Sequence, residues 1–135
     1  MKPNNFKKEW CLLQDQFDSY EKHSLYIKLM SIFVILVAES LNVINVFIIL
    51  ILIILWFQDA IWKTFQSRIE PRLLQLERYV REGGDHDEFQ FNSEYLKVRL
   101  TGLSLIYEYV RQSIRPTVAF PHVVLILVLT FQYLL

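Results

Sequence analysis

Charged side chains are spread very unevenly along this chain, and that unevenness limits what it can fold into. No Asp, Glu, Lys or Arg occurs at residues 29–38, 40–58 or 116–135. A helix needs about 20 largely apolar residues to cross the roughly 30 Å hydrocarbon core of a bilayer, so such gaps are typical of membrane spans. The sequence predicts three of them, at about residues 23–41, 45–63 and 116–135.

Composition favours helices throughout. The 135 residues include only three Gly and four Pro, which loop-rich β folds and disordered chains use heavily. We predict an all-α membrane protein in three parts. These are a long antiparallel transmembrane helical hairpin that extends into the cytosol (1–82), a cytosolic loop with an amphipathic helix (83–115), and a third, C-terminal transmembrane helix (116–135).

Basic residues set the expected direction of the spans. Lys and Arg flank the first span on its N-terminal side and the second on its C-terminal side, whereas residues 40–44 between them carry none. Short loops rich in Lys and Arg stay in the cytoplasm. We therefore expect a cytoplasmic N-terminus and a C-terminus outside.

A turn near residues 43 and 44 would place mirrored positions of the two hairpin helices at equal depth. Lys28 would then lie level with Asp59, close enough for an interhelix ion pair. Asp59 also precedes Lys63 by four residues, the favourable order on a helix. The alternative is that all three side chains extend separately to the interface. The same mirror places Phe6 near Arg81 and Leu13 near Leu74.

An apolar stripe continues beyond the membrane on both hairpin helices, at the three- and four-residue spacing of one helix face. Its members could contact a partner or could bury one another in an antiparallel pair. Pro71 lies within this region and predicts a kink or a restart of the second helix. The stripe consists of Phe6, Trp10, Leu13, Phe17, Tyr20, Phe65, Ile69, Leu73, Leu76 and Val80.

The region before the third span predicts an amphipathic helix. Ser93 can cap it, and its apolar residues between 103 and 114 suit either the membrane surface or the hairpin. The acidic run at residues 85–88 is interpreted as a solvated loop. Four side chains are expected to contact the membrane surface, the two indoles at headgroup level and the two guanidinium groups at lipid phosphates. They are Trp56, Trp62, Arg111 and Arg115.

Sequence motifs of known chemistry are missing. There is no Gly-rich phosphate loop, nucleophile elbow or zinc motif, and the single Cys11 cannot form an intrachain disulfide. Fourteen basic side chains balance fourteen acidic ones, so no basic excess exists to bind nucleic acid. We expect no enzyme, no cofactor and no metal site.

The run Trp56-Phe57-Gln58-Asp59-Ala60, followed by Lys63 and Arg68, resembles uncharacterised small bacterial inner-membrane proteins with a two-span helical hairpin. In architecture the hairpin is also similar to the two-span effector domains of nucleotide-dependent bacterial defence systems. The resemblance covers roughly residues 17 to 82. It implies a multi-pass protein of the bacterial inner membrane.

Two functional hypotheses follow. The first is a non-enzymatic inner-membrane protein that acts by helix association, as a homo-oligomeric unit or an accessory subunit of a membrane complex. Its partners would be the lipid bilayer and either itself or another membrane protein. The alternative is a membrane-permeabilising or pore-forming effector, although residues 46–55 present no polar face.

Overall fold

The computed structural model describes residues 2–83, 90, 91, 93 and 101–135. The all-α fold class, with a long hairpin and an apolar C-terminal helix, is confirmed. The predicted acidic loop at residues 85–88 and the residues that would follow a cap at Ser93 lie outside the described part. Four helices are described, numbered here in chain order: α1 (Lys2–Ser40), α2 (Val46–Glu82), α3 (Leu103–Ile114) and α4 (Pro116–Leu134).

The hairpin reverses where the sequence predicts. Asn42, at φ 53°, adopts the left-handed conformation that Asn tolerates better than most residues. Asn45 then caps α2, because its side-chain oxygen accepts from the backbone N–H groups of Phe47 at 3.0 Å and Ile48 at 3.3 Å. These bonds satisfy two of the free donors at the start of the helix.

Both hairpin helices run without interruption. α1 has 39 residues and α2 has 37, so each is about 55 Å long or slightly more at 1.5 Å per residue. Pro71 lies inside α2 and its side chain is exposed. The prediction of a restart near Pro71 is therefore wrong, whereas a kink at this position stays a prediction. Gly83 ends α2 at φ 70°, donating to the Tyr79 carbonyl over 3.0 Å.

Beyond the predicted spans, the two helices form paired arms, residues 6–22 of α1 and 64–82 of α2. Trp10 Nε1 donates to Glu77 Oε1 over 3.0 Å, as a mirror about residues 43 and 44 requires. Elsewhere contacting pairs depart from this mirror, since Arg72 donates to Glu9 and the Phe6 ring contacts the Tyr79 ring. Leu13 shares the core with Leu73, whereas Leu74 is exposed. The buried arm core consists of Phe6, Leu13, Ile69, Leu73 and Leu76.

A second core lies between the membrane-spanning parts. Ile35 of α1, Leu52 of α2 and Leu129 of α4 are all buried and form one cluster. α4 therefore packs against both helices of the hairpin. Arg115 separates α3 from α4 with extended ψ, and Pro116 opens α4 at a position where a missing N–H costs nothing.

Three of the described helices, α1, α2 and α4, are long and apolar enough to cross a membrane. Most of the side chains in these stretches are not buried inside the protein. Large apolar residues such as Phe33 and Phe47 face outward, as they do where lipid is the solvent. The chain is a small multi-span helical membrane protein.

Candidate functional site

Asp59 is a carboxylate with no exposed surface, in the second predicted span. It lies on the face of α2 that packs against α1, and its neighbour Ala60 is also fully buried. A small residue there lets the two helix backbones approach closely. A charge at this depth persists only when other polar groups surround it.

α1 supplies two of those groups. Ser24, fully buried, donates its hydroxyl to Asp59 Oδ1. Lys28 lies one turn further on, with its Nζ 3.7 Å from Asp59 Oδ2 and donating to Ser24 Oγ over 3.2 Å. Lys28 therefore compensates Asp59 both directly and through the Ser24 hydroxyl. Its side chain keeps 20% of its surface exposed, so the ammonium also reaches the outside of the bundle.

α4 supplies the third group, which sequence reasoning missed. His122 is 1% exposed and its Nε2 lies 3.0 Å from Asp59 Oδ2. Its other ring nitrogen, Nδ1, lies 3.5 Å from the Oγ of the fully buried Ser31. Three helices thus converge on one carboxylate. We name this group the Asp59 cluster, and it consists of Ser24, Lys28, Ser31, Asp59 and His122.

The Asp59 cluster lies towards the end of the spans that adjoins the arms. Asp59 is 13 residues beyond the start of α2 at Val46, which is about 20 Å from the hairpin turn. Between the two lies the apolar core of Ile35, Leu52 and Leu129. Within the described residues, this core separates the cluster from the turn.

Lys63, which the sequence groups with Lys28 and Asp59, has a different partner. Its Nζ lies 2.6 Å from Glu21 Oε2 and 3.1 Å from Gln66 Oε1, and Gln66 Nε2 donates to the same Glu21 oxygen over 2.7 Å. The bonds from Lys63 and Gln66 hold the pKa of the Glu21 carboxyl below its ordinary value, against the opposing effect of its partial burial.

The predicted apolar stripe lies mostly inside the hairpin. Its buried members form the arm core, and Trp10, Phe17 and Tyr20 pack against it. Phe65 contacts the rings of Tyr20 and Trp62, whereas Val80 is 37% exposed. Most side chains of the stripe therefore pack against one another within the hairpin.

A charged pair lies within the arm core. Arg72 Nε donates to Glu9 Oε1, and both side chains are buried. Arg72 also donates from Nη1 to Gln75 Oε1 over 2.7 Å. Glu9 lies between Phe6 and Trp10 on the packed face of α1, a spacing that could have identified it as buried.

Of the four predicted membrane-surface residues, Trp56 and Trp62 lie in the second predicted span, Arg111 lies on α3 and Arg115 lies between α3 and α4. Trp56 donates its indole N–H to the Ser113 carbonyl over 3.0 Å, satisfying an otherwise free acceptor at the end of α3. Trp62 contacts the rings of Tyr20, His23 and Phe65. Arg111 lies 3.7 Å from Glu108, and Arg115 donates to Gln112 Oε1 over 3.1 Å. Both arginines are exposed.

α3 is oriented with its apolar face outward. The polar residues Gln112 and Ser113 are buried, whereas Leu103 is 85% exposed and Tyr107 is 69% exposed. Of the two alternatives left open by the sequence, the structure does not place this apolar face against the hairpin. The outward apolar side chains are Leu103, Ile106, Tyr107, Val110 and Ile114.

One sequence signal pointed towards the missed residues of the Asp59 cluster. Ser24, Lys28 and Ser31 follow a spacing of four and three on α1, which places three polar side chains on one face of an apolar helix. Such a face must meet another polar group. Nothing comparable identifies His122, because its contact depends on how α4 packs.

Comparison of the chain with protein-family models, with curated proteins and with solved structures gives no match. Within the described residues, no group of three His, Cys, Asp or Glu side chains is placed to hold a metal ion. The features of the described residues that bear on function are the Asp59 cluster, the arm core and the outward face of α3.

Proposed function

We propose that the protein is a non-enzymatic, multi-pass protein of the bacterial inner membrane that acts by helix association, as a homo-oligomeric unit or an accessory subunit. The arms would lie in the cytosol, because the basic residues that flank the first two spans lie on them. α4 would then end on the outside. The proposal that no enzyme is present follows from the absence of a recognisable catalytic motif in the sequence.

The outward apolar face of α3 is the observation that supports association. α3 precedes the third span and lies outside it, yet five of its large apolar side chains face away from the protein. Its polar side is occupied by α2 through the Trp56 bond to Ser113. A large aromatic side chain such as Tyr107 is typical of the anchors that carry interface energy.

A site-specific photocrosslinker tests this proposal in native membranes. A benzophenone amino acid at Tyr107 should give a protein adduct, and its mass should reveal a second copy or another subunit. The same substitution at Tyr26, which is 62% exposed on the first span, is the matched control and should give lipid adducts alone. If position 107 also gives only lipid adducts, α3 lies in the bilayer surface and association through it is wrong.

The pore-forming alternative receives less support. A pore within one chain would need a polar path along the spans. Among the described residues, the buried layer of Ile35, Leu52 and Leu129 lies in that path. A pore between several copies would have to be lined by outward faces rich in side chains such as Phe33 and Phe47.

A further inference from the structure

The Asp59 cluster contains a hydroxyl with two possible hydrogen-bond arrangements. Ser31 has one proton, and its Oγ lies 3.0 Å from the Ile27 carbonyl and 3.5 Å from His122 Nδ1. If Ser31 donates to His122, Nδ1 is an acceptor and the imidazole is neutral. If Ser31 donates to Ile27, its oxygen can accept from a protonated Nδ1. The same side chain therefore serves both charge states of His122.

The other ring nitrogen is fixed by its partner. His122 Nε2 lies 3.0 Å from Asp59 Oδ2, and an ionised carboxylate only accepts hydrogen bonds. Nε2 thus carries a proton in both arrangements. Any change of charge on His122 must occur at Nδ1, against Ser31.

Two nitrogen-bearing side chains approach one carboxylate oxygen. Lys28 Nζ lies 3.7 Å from Asp59 Oδ2, and His122 Nε2 lies 3.0 Å from the same atom. With a neutral imidazole, Lys28 and Asp59 balance each other. With an imidazolium, the cluster carries one net positive charge, which is costly at this depth unless one cation moves outward.

Lys28 has a place to move to. It lines an open depression of about 450 Å³ together with Asp18, Glu21, Lys22 and Leu25. The positive charge of Lys28 contributes to the lowered pKa of Glu21, which places the two within electrostatic reach. The ammonium therefore lies between Asp59 inside and a depression outside that contains Asp18 and Glu21, of which Glu21 is also paired with Lys63.

Other charges around the Asp59 cluster have partners of their own. On α2, Lys63 pairs with Glu21. On α3, Glu108 lies beside Arg111. Among the described residues, the charged groups recorded at His122 are therefore Asp59 from α2 and, through that carboxylate, Lys28 from α1.

We infer that His122 Nδ1 is a proton-binding site within the membrane. Protonation there changes the cationic partner of the Asp59 carboxylate from Lys28 to His122. The imidazolium then joins α4 to the hairpin by a charge-assisted bond, while Lys28 turns towards the depression lined by Asp18 and Glu21. This inference does not depend on the proposed function, since the site lies within one chain.

Nitrogen NMR on the full-length protein, with labelled histidine and in lipid nanodiscs, reads the proton directly. His122 should convert from the imidazole to the imidazolium pattern as the pH of the sample is lowered. The resonance is assigned by its loss in His122→Gln. His23→Gln is the matched control, because the His23 ring contacts the ring of Trp62. A His122 that keeps one pattern throughout overturns the inference.

The distance between α1 and α4 shows whether protonation of His122 changes how firmly α4 is held. Spin labels at Leu36→Cys on α1 and Leu127→Cys on α4, both exposed positions, would be introduced with the single native cysteine replaced by Ser. The distance distribution should narrow as pH falls and α4 is held more firmly. That pH dependence should vanish in His122→Gln and persist in His23→Gln. In Lys28→Met the narrow distribution should extend to higher pH, because Asp59 then has one cationic partner.

Two results would contradict the coupling even if His122 titrates. One is a distance distribution between α1 and α4 that does not change with pH in the native sequence. The other is a Lys28→Met protein whose pH response matches that of the native sequence, since Lys28 would then not compete for Asp59. Both measurements use intact, lipid-embedded protein, and its helix content by circular dichroism confirms that each variant is folded.

Discussion

Arg72 Nε donates to Glu9 Oε1 over 2.9 Å, and each side chain is only 4% exposed. This pair joins the two arms within an otherwise apolar core. Burial of two charges has a desolvation penalty that can exceed their mutual attraction, so an apolar replacement of both side chains need not reduce stability. Its removal therefore has different consequences for one partner and for both.

Single substitutions at this pair should be strongly destabilising. Arg72→Met leaves Glu9 buried without its cation, and we expect a loss of about 3 kcal/mol in the free energy of unfolding. The double variant Glu9→Met with Arg72→Met should recover most of it. Unfolding in detergent, followed by tryptophan fluorescence, measures both. Equal losses in the single and double variants would show that the core cannot replace the pair with apolar groups.

The pair of Glu21 and Lys63 should make stability depend on pH. The pKa of Glu21 is lowered in the folded protein, so folding favours the carboxylate. The resulting stabilisation is present above the pKa of the unfolded chain and is lost as pH falls through the lower folded-state pKa.

Comparison with Glu21→Gln tests this sign. Because the Glu21 side chain is 59% exposed, the native protein should exceed the variant by only about 0.5 kcal/mol at neutral pH. The difference should disappear at an acidic pH below the folded-state pKa of Glu21, where both forms are uncharged at this position. A gap that widens on acidification would contradict the assignment. Unfolding free energies at the two pH values provide the measurement.

Trp56→Phe should loosen the end of α3. It removes the indole donor to the Ser113 carbonyl while retaining most of the ring, and the cost of a lost hydrogen bond is about 1 kcal/mol. Backbone hydrogen exchange should then accelerate at the last turn of α3 by up to about tenfold. Trp62→Phe is the control, since that indole contacts rings of α1 and α2. Equal acceleration in both variants would exclude a specific role for the bond.

The arm register can be tested with cysteine pairs in a Cys11→Ser background. Trp10 and Glu77 touch through their side chains, so Trp10→Cys with Glu77→Cys should join rapidly through a short bifunctional thiol reagent. Trp10→Cys with Leu74→Cys is the control, because Leu74 is exposed away from the arm core. It should react much more slowly. Preference for the second pair would require a shifted register.

Periodicity and symmetry account for what the sequence could predict. Charge-free stretches give the spans, and the stripes on either side of one turn bring Lys28 level with Asp59, now 3.7 Å apart. The charge-free stretches are local features, and the pairing of the stripes depends only on the position of one turn. The contacts made by α4 depend instead on how the helices pack. His122 lies 63 positions from Asp59 along the chain, and its partner depends on the rotation of α4.

The partner of Lys63 illustrates a second limit. Helical spacing favours Asp59 as its neighbour, but Asp59 faces α1 and α4 while Lys63 reaches Glu21 across the hairpin. A one-turn spacing shows that two side chains can meet, whereas the helix opposite decides whether they do. The exposure of the Pro71 ring likewise depends on which face of α2 packs against α1, and the sequence alone did not show that face.

The uninterrupted course of α1 from Lys2 to Ser40 makes the arm and the span one rigid rod. About 30 Å of helix lies beyond the first span at 1.5 Å per residue. A rod of this kind acts as a lever, since helices tilt when a bilayer thins. A change in tilt of about 10° swings the arm tip sideways by about 5 Å. With residues 23–41 spanning the bilayer as the sequence predicts, a change in bilayer thickness would therefore displace the surface of the arms.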